Sequence, residues 1–196
     1  MKYKNKLPVS EKIWKETEEA LLGKDCRVFF EVLHECGALT RLFPEIESLF
    51  GTPQSIKWHP EVDTGLHTML VLDQAENMSS DLSVRFGALT HDLGKGSTPK
   101  EFLPNHPGHE ERSAEIVADI CNRLPVPKTC RDFATLVAKL HTNCHMALKL
   151  DFNSILDLLE KVDAFRRPQR FENFLIACEA DSKGRTGFEK NPYPQS

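Results

Sequence analysis

Ser79-Ser80-Asp81-Leu82-Ser83-Val84-Arg85-Phe86-Gly87-Ala88-Leu89-Thr90-His91-Asp92-Leu93-Gly94-Lys95-Gly96 is the stretch whose reading decides the fold. A turn rich in asparagine and serine opens it, an apolar run follows, and glycine closes it. Turn residues of this kind start helices and Gly94 stops one, which predicts a helix over Asp81–Leu93. His91-Asp92 then falls on the last turn, where backbone carbonyls already make the potential negative. An aspartate there is unfavourable unless a cation compensates it. A nitrogen and an oxygen ligand side by side suit one divalent metal, so the same stretch reads as a helix end and as a metal site.

Outward from this helix, helical periodicity recurs and strand-like alternation is scarce. Ser10 caps a first helix carrying Ile13, Trp14, Thr17 and Leu21 on one side. Val28, Phe29, Val32, Leu33 and Cys36 form a second, stopped by Gly37. Leu39, Leu42, Phe43, Ile46 and Leu49 suggest a shorter element containing Pro44. A turn-rich loop over 51–63 leads to a helix opened by Thr64. Beyond the His-Asp pair, Lys95–Pro107 holds three prolines and reads as irregular loop. His109–Leu124 is helical, and Pro127 opens a helix with Phe133, Leu136, Val137 and Leu140. Asn153 caps a run ending near Phe165, and Pro168 starts the last helix, through Cys178. The pattern predicts an all-α, compact bundle of about eight or nine helices.

Hydrophobic residues make up 40% of the 196 and charged residues 28%, which excludes disordered and fibrous classes. The net charge of −4 argues against a generally basic nucleic-acid coat, though a local basic patch remains compatible with it. No apolar stretch is long enough to span a bilayer, and the basic N-terminus lacks the apolar region of a secretory signal, so the cytoplasm is the expected location. The six cysteines form no CxxC pair and read as reduced core thiols.

Seven of the eight histidines fall between positions 59 and 145, the segment holding the His-Asp pair. His34, alone on the second helix, reads as an amphipathic side chain. His67 begins a helix and His91-Asp92 ends the next; antiparallel neighbours bring such ends together. Asp163 is the acid in an otherwise apolar turn, the pattern of an inward-facing ligand. His67, His91, Asp92 and Asp163 are therefore the expected metal ligands. Two imidazoles and two carboxylates with open positions suit Mn, Fe, Co, Ni, Zn or Mg rather than a closed structural zinc. His109 and His141 are either ligands to a second metal or acids contacting phosphate. His59, His106 and His145 are expected beside the ligands or at the surface. Lys95, on a glycine-flanked loop, either holds a phosphate oxygen or complements a helix dipole. Arg166, Arg167 and Arg170 form either an anion-binding edge or a solvated turn.

These residues resemble the HD phosphohydrolase superfamily, with its H…HD…D pattern read as His67, His91-Asp92 and Asp163. His109 and His141 look like the extra histidines of members that hold two metals. Glu11-Lys12-Ile13-Trp14-Lys15-Glu16, Leu42-Phe43-Pro44-Glu45-Ile46, Trp58-His59-Pro60-Glu61-Val62-Asp63-Thr64-Gly65, His91-Asp92-Leu93-Gly94-Lys95-Gly96 and Glu179-Ala180-Asp181-Ser182-Lys183-Gly184-Arg185 look more closely like the HD region of bacterial CCA-adding tRNA nucleotidyltransferases. The likeness covers the chain from near Ser10 onward. It implies 2′,3′-cyclic phosphodiesterase, 2′-nucleotidase and phosphatase activities favoured by nickel, with Mn, Mg, Co or Zn as alternatives, in tRNA 3′-end repair. Under that resemblance His91, Asp92, Lys95, His109 and His141 are the expected catalytic residues, and Lys95, Arg166, Arg167 and Arg170 the phosphate contacts.

The Gly-Ser strand motif and paired aspartates of that family's nucleotidyltransferase head do not occur here. CCA addition is therefore not expected of this chain alone, which reads as an excised domain or a short stand-alone HD protein. Residues 1–9 are expected to be disordered or cloning-derived, 10–185 to form the HD domain and 186–196 to form a flexible tail. The expected partners are a tRNA 3′ end or a 2′,3′-cyclic nucleotide, with a homodimer compatible and no membrane. The competing expectations are a tRNA-binding module with a degenerate metal site, using Arg166, Arg167, Arg170, Lys183 and Arg185, and a stand-alone nucleotide phosphohydrolase.

Overall fold

Asp63 and Asp81 each start a helix by accepting a backbone hydrogen bond, from Leu66 at 2.9 Å and from Ser83 at 2.7 Å, and the two helices they start carry the centre of the molecule. The structure, a computed structural model, describes residues 9–195. Among these it is all-α, with ten helices, eight of them of seven residues or more, and no strand. They are α1 (Val9–Leu22), α2 (Cys26–Glu35), α3 (Leu39–Leu42), α4 (Pro44–Glu47), α5 (Thr64–Met78), α6 (Leu82–Thr90), α7 (His109–Arg123), α8 (Lys128–His145), α9 (Phe152–Val162) and α10 (Pro168–Lys183). No helix among the described residues is long and apolar enough to cross a membrane.

Helices α5 and α6 are buried almost all round, because they separate two hydrophobic clusters. One cluster joins α1–α4 to α5, α6 and α7 through Trp14, Phe30, Leu39, Leu72, Phe86 and Ile120. The other joins α5 and α6 to α8, α9 and α10 through Val71, Ala88, Val137, Phe174 and Cys178. Buried Arg85 on α6 donates to the carbonyls of Leu21, Gly23, Ser79 and Glu76, so the open end of α1 is satisfied from within the fold.

Several boundaries differ from the sequence reading for local reasons. The element around Pro44 splits at Phe43, which takes φ −140° before a proline, as the proline ring disfavours helical backbone there. Asp151, not Asn153, caps α9, accepting from Ser154 at 3.0 Å. The segment read as irregular loop contains two short 3-10 turns, Leu93–Ser97 and Lys100–Phe102. Helix α6 ends at Thr90, before Gly94. Gly94 serves packing instead: a Cβ there would collide with the His109 carbonyl and the Ser113 amide of α7, and its own N–H donates to Ser113 Oγ at 2.8 Å. Cys36 is exposed rather than a core thiol. Of the segment expected to be disordered or cloning-derived, Val9 opens α1 and the rest lies outside the described residues. Within the segment expected to form a flexible tail, Tyr193 is buried in the second cluster, and Gln195 donates to the His145 carbonyl at 2.9 Å.

Candidate metal centre

Five helices end or begin at one end of the bundle, and each delivers a metal-ligating side chain there. The Asp63 cap fixes the first turn of α5, which carries His67. Residue His91 caps α6 and Asp92 follows it with φ −111°, already off the helix. Helix α7 begins at His109, the last turns of α8 carry His141 and His145, and Asp181 sits near the end of α10. His67, His91 and Asp92 are at most 2% exposed.

Two groups of three form. His67 Nε2 is 3.0 Å from Asp181 Oδ1, and His91 Nε2 is 3.6 Å from the same oxygen. Asp92 Oδ1 lies 3.2 Å from His109 Nε2 and 3.6 Å from His141 Nε2. Within each group the ligand atoms lie within 4.8 Å of one another, close enough for one ion each. A third such group, His59, Glu61 and His67, shares His67 with the first.

The far nitrogen of several rings is already held, which fixes the orientation that aims the near nitrogen inward. His91 Nδ1 is 2.7 Å from the Ala88 carbonyl and His109 Nδ1 is 2.9 Å from that of His106. His67 Nδ1 is 3.1 Å from both the Gly184 carbonyl and Glu61 Oε1. His145 Nε2 holds the second oxygen of Asp181 at 2.7 Å, and its Nδ1 meets the Tyr193 hydroxyl at 3.1 Å. Lys95 Nζ binds Asp92 Oδ2 at 2.7 Å and donates to Gln54 Oε1 at 3.0 Å, while Gln54 Nε2 donates to Glu61.

The charges require compensation. Burial alone would raise the Asp92 and Asp181 carboxyls. Lys95 and His91 instead hold Asp92 well below the usual carboxylate range, and His91 and His145 do the same for Asp181. Burial would likewise lower His67, yet Asp181 and Glu61 push it up to about 9. His109 and His141 are raised against burial by Asp92. Within the two ligand groups, two buried atoms remain without a hydrogen-bond partner, His91 Nε2 and Asp92 Oδ1. His91 Nε2 does approach Asp92 Oδ2 at 3.1 Å, but without the geometry of a hydrogen bond. Orphaned buried ligand atoms, one in each group, fit divalent cations with mixed nitrogen and oxygen ligands.

Asp163 is not part of this cluster. Helix α9 ends at Val162, and Asp163 takes left-handed backbone with φ 62°, which turns its side chain to Arg166 at 2.6 Å and Arg167 at 3.2 Å. Asp181, quoted above only within a motif, stands where Asp163 was expected. Arg166 and Arg167 are thereby engaged as a paired turn, and Arg167 and Arg170 line a separate groove with Asn122 and Thr129. Of the basic residues read for tRNA, Lys183 pairs with Glu179 at 2.6 Å, and Arg185 lines the cavity over the metal groups. That cavity, of about 420 Å³, has Asp92, Lys95, His109, His141 and Asp181 in its wall and Trp58, Lys149 and Arg185 at its mouth. Sequence reasoning missed Asp181 as a candidate ligand, and Gln54, Glu61 and Tyr193 as the partners of Lys95, His67 and His145.

Residues 64–182 match the HD domain family. Over 188 residues, 96% of this chain, it is 56% identical to the multifunctional CCA protein of Thioalkalivibrio sulfidiphilus, 55% to that of Nitrosococcus oceani and 52% to that of Cupriavidus necator. In each case the match covers 46% of the relative, so the chain spans about half the length of these proteins.

Proposed function

The chain belongs to the HD domain family, and from that premise we propose that it is a metal-dependent phosphohydrolase acting on 2′,3′-cyclic nucleotides, 2′-nucleotides and related phosphate esters, within a protein that repairs tRNA 3′ ends. The observation that carries this reading is the pair of ligand groups beside one cavity, lined by Asp92, His109, His141 and Asp181, each group with an orphaned buried atom. His67, His91 and Asp181 would hold one ion, and Asp92, His109 and His141 a second, with nickel preferred. Divalent ions there supply Lewis acidity at a phosphoryl oxygen and acidify a water toward neutral pH.

The chain's own groups do the rest. Lys95, clamped between Asp92 and Gln54, presents an ammonium where a phosphate oxygen reaches the floor. His145 fixes the second oxygen of Asp181, leaving the first to face His67 and His91.

The test is hydrolysis of 2′,3′-cyclic AMP by the purified chain, stripped of metal and reloaded with nickel, manganese, cobalt, magnesium or zinc. Turnover with at least one metal, abolished by His91→Ala with helical content retained, is expected. No turnover with any metal from folded protein overturns the reading.

A further inference from the structure

The two tryptophans of this chain occupy opposite environments. Trp14 is buried, 5% exposed, with its ring edge-on to Phe86 at 5.6 Å. Trp58 is 55% exposed and stands in the wall of the cavity above the metal groups. What sets this indole apart is its place: it lines the same cavity as Asp92, Lys95 and Asp181, so a ligand that reaches those charged groups meets its ring. Its backbone is tied at both faces. The Trp58 N–H donates to the Ser55 carbonyl at 3.0 Å, and Arg185 donates to the Trp58 carbonyl at 3.4 Å. The next residue, His59, packs its ring 4.5 Å from that of His67, so Trp58 is held one residue from the ligand cluster. Lys57 Nζ lies 4.7 Å from the indole centroid and restrains the ring.

We infer that Trp58 is a stacking platform for the nucleobase of the substrate, with the phosphate at Lys95 and the base at the mouth. The inference rests on the phosphohydrolase reading and names which esters that site prefers. A bare phosphate uses the floor and leaves the aromatic wall idle. A nucleotide uses both, and a cavity of about 420 Å³ is in the size range of small-ligand sites. Lys149 and Arg185 add positive charge at the same rim, where further phosphates of a nucleic-acid end would lie. Stacking on an indole tolerates any base, because every base offers a π-face. The site is therefore expected to prefer nucleotides over simple phosphate esters while discriminating weakly among bases.

Trp58 reports on its own occupancy, since Trp14 is sealed in the core. Adenosine 2′-monophosphate is expected to quench emission of the intact chain saturably, and inorganic phosphate at the same concentrations is not. Trp58→Ala is expected to raise KM for 2′,3′-cyclic AMP about tenfold with kcat within about twofold, and to cut the preference for that substrate over glycerol 2-phosphate by about tenfold. Trp58→Phe, which keeps a ring, restores most of the preference. An unaltered preference in Trp58→Ala, or no quenching by the nucleotide in a chain that hydrolyses it, overturns the inference. If the wild-type chain hydrolyses neither substrate with any metal, the phosphohydrolase reading fails by itself, and the quenching titration alone decides whether a base stacks on Trp58.

Discussion

Asp163 and Asp181 show what one residue's neighbours decide. Both are acids that follow apolar residues near the end of a helix. Asp181 continues the stripe Phe174, Ala177, Cys178 at helical spacing, so it points where that stripe points, into the core. Asp163 lies one residue past the last helical residue of α9, and left-handed backbone there breaks the periodicity. The signal for Asp181 was present in the sequence; the exit of Asp163 from its helix was not, because it depends on one dihedral angle. Asp181→Asn is expected to lower kcat/KM more than a hundredfold and weaken metal binding, whereas Asp163→Asn leaves kcat/KM within about twofold; equal losses would return the fourth ligand to Asp163. His67 contributes a pH dependence, alongside the raised His109 and His141. Its folded value of about 9 lies above the ordinary 6.5, so in the metal-free chain it contributes stability fully below 6.5 and loses it as pH rises through 9. A metal displaces that proton. Apparent affinity is therefore expected to rise with pH up to about 9, by about tenfold per unit for one proton, and calorimetry in buffers of different ionisation enthalpy should show proton release.

At the scale of elements, the long helices were legible because each carries an apolar stripe over at least two turns, and their positions agree with that reading to within a few residues. The short pieces were not. The split at Phe43 and the turn after Thr90 are set by contacts with other elements rather than by their own residues. Gly94 is the clearest instance. Its glycine reads as a helix stop, but what requires it is the approach of α7, whose His109 is itself a candidate ligand. Gly94→Ala should force Asp92 and His109 apart. The expected cost is about 1–3 kcal/mol in urea unfolding, with metal affinity reduced as well. A variant that loses stability but binds metal as before would show that the turn and the site are independent. Arg85 makes a second test of how elements are joined. Arg85→Leu leaves four carbonyls, at the ends of α1 and α5, without a donor, and a loss of about 2–4 kcal/mol is expected by the same measurement.

Across the whole molecule, the candidate ligands come from every long helix around the central pair except α1, α2 and α9. His67 lies on α5, His91-Asp92 after α6, His109 on α7, His141 on α8 and Asp181 on α10. The all-α architecture could be read from periodicity, but which ends meet depends on how α10 returns across α5 and α6, and that is long-range packing a single sequence does not display. Meeting there has a thermodynamic consequence. Without an ion, carboxylates and imidazoles from five elements balance one another, and two buried ligand atoms stay unpaired. An ion that binds the folded chain and not the unfolded one joins the elements and stabilises the whole, by about 2.7 kcal/mol at a hundredfold excess over its Kd. For a chain of this length that corresponds to a rise in Tm of roughly 5–10 °C. The rise is expected with the metal that gives the highest turnover. It should disappear in Asp181→Asn and persist in Trp58→Ala, because the first removes a ligand and the second only the platform above it. A metal that drives turnover without raising Tm would mean that the ion is held by the substrate rather than by these five helices.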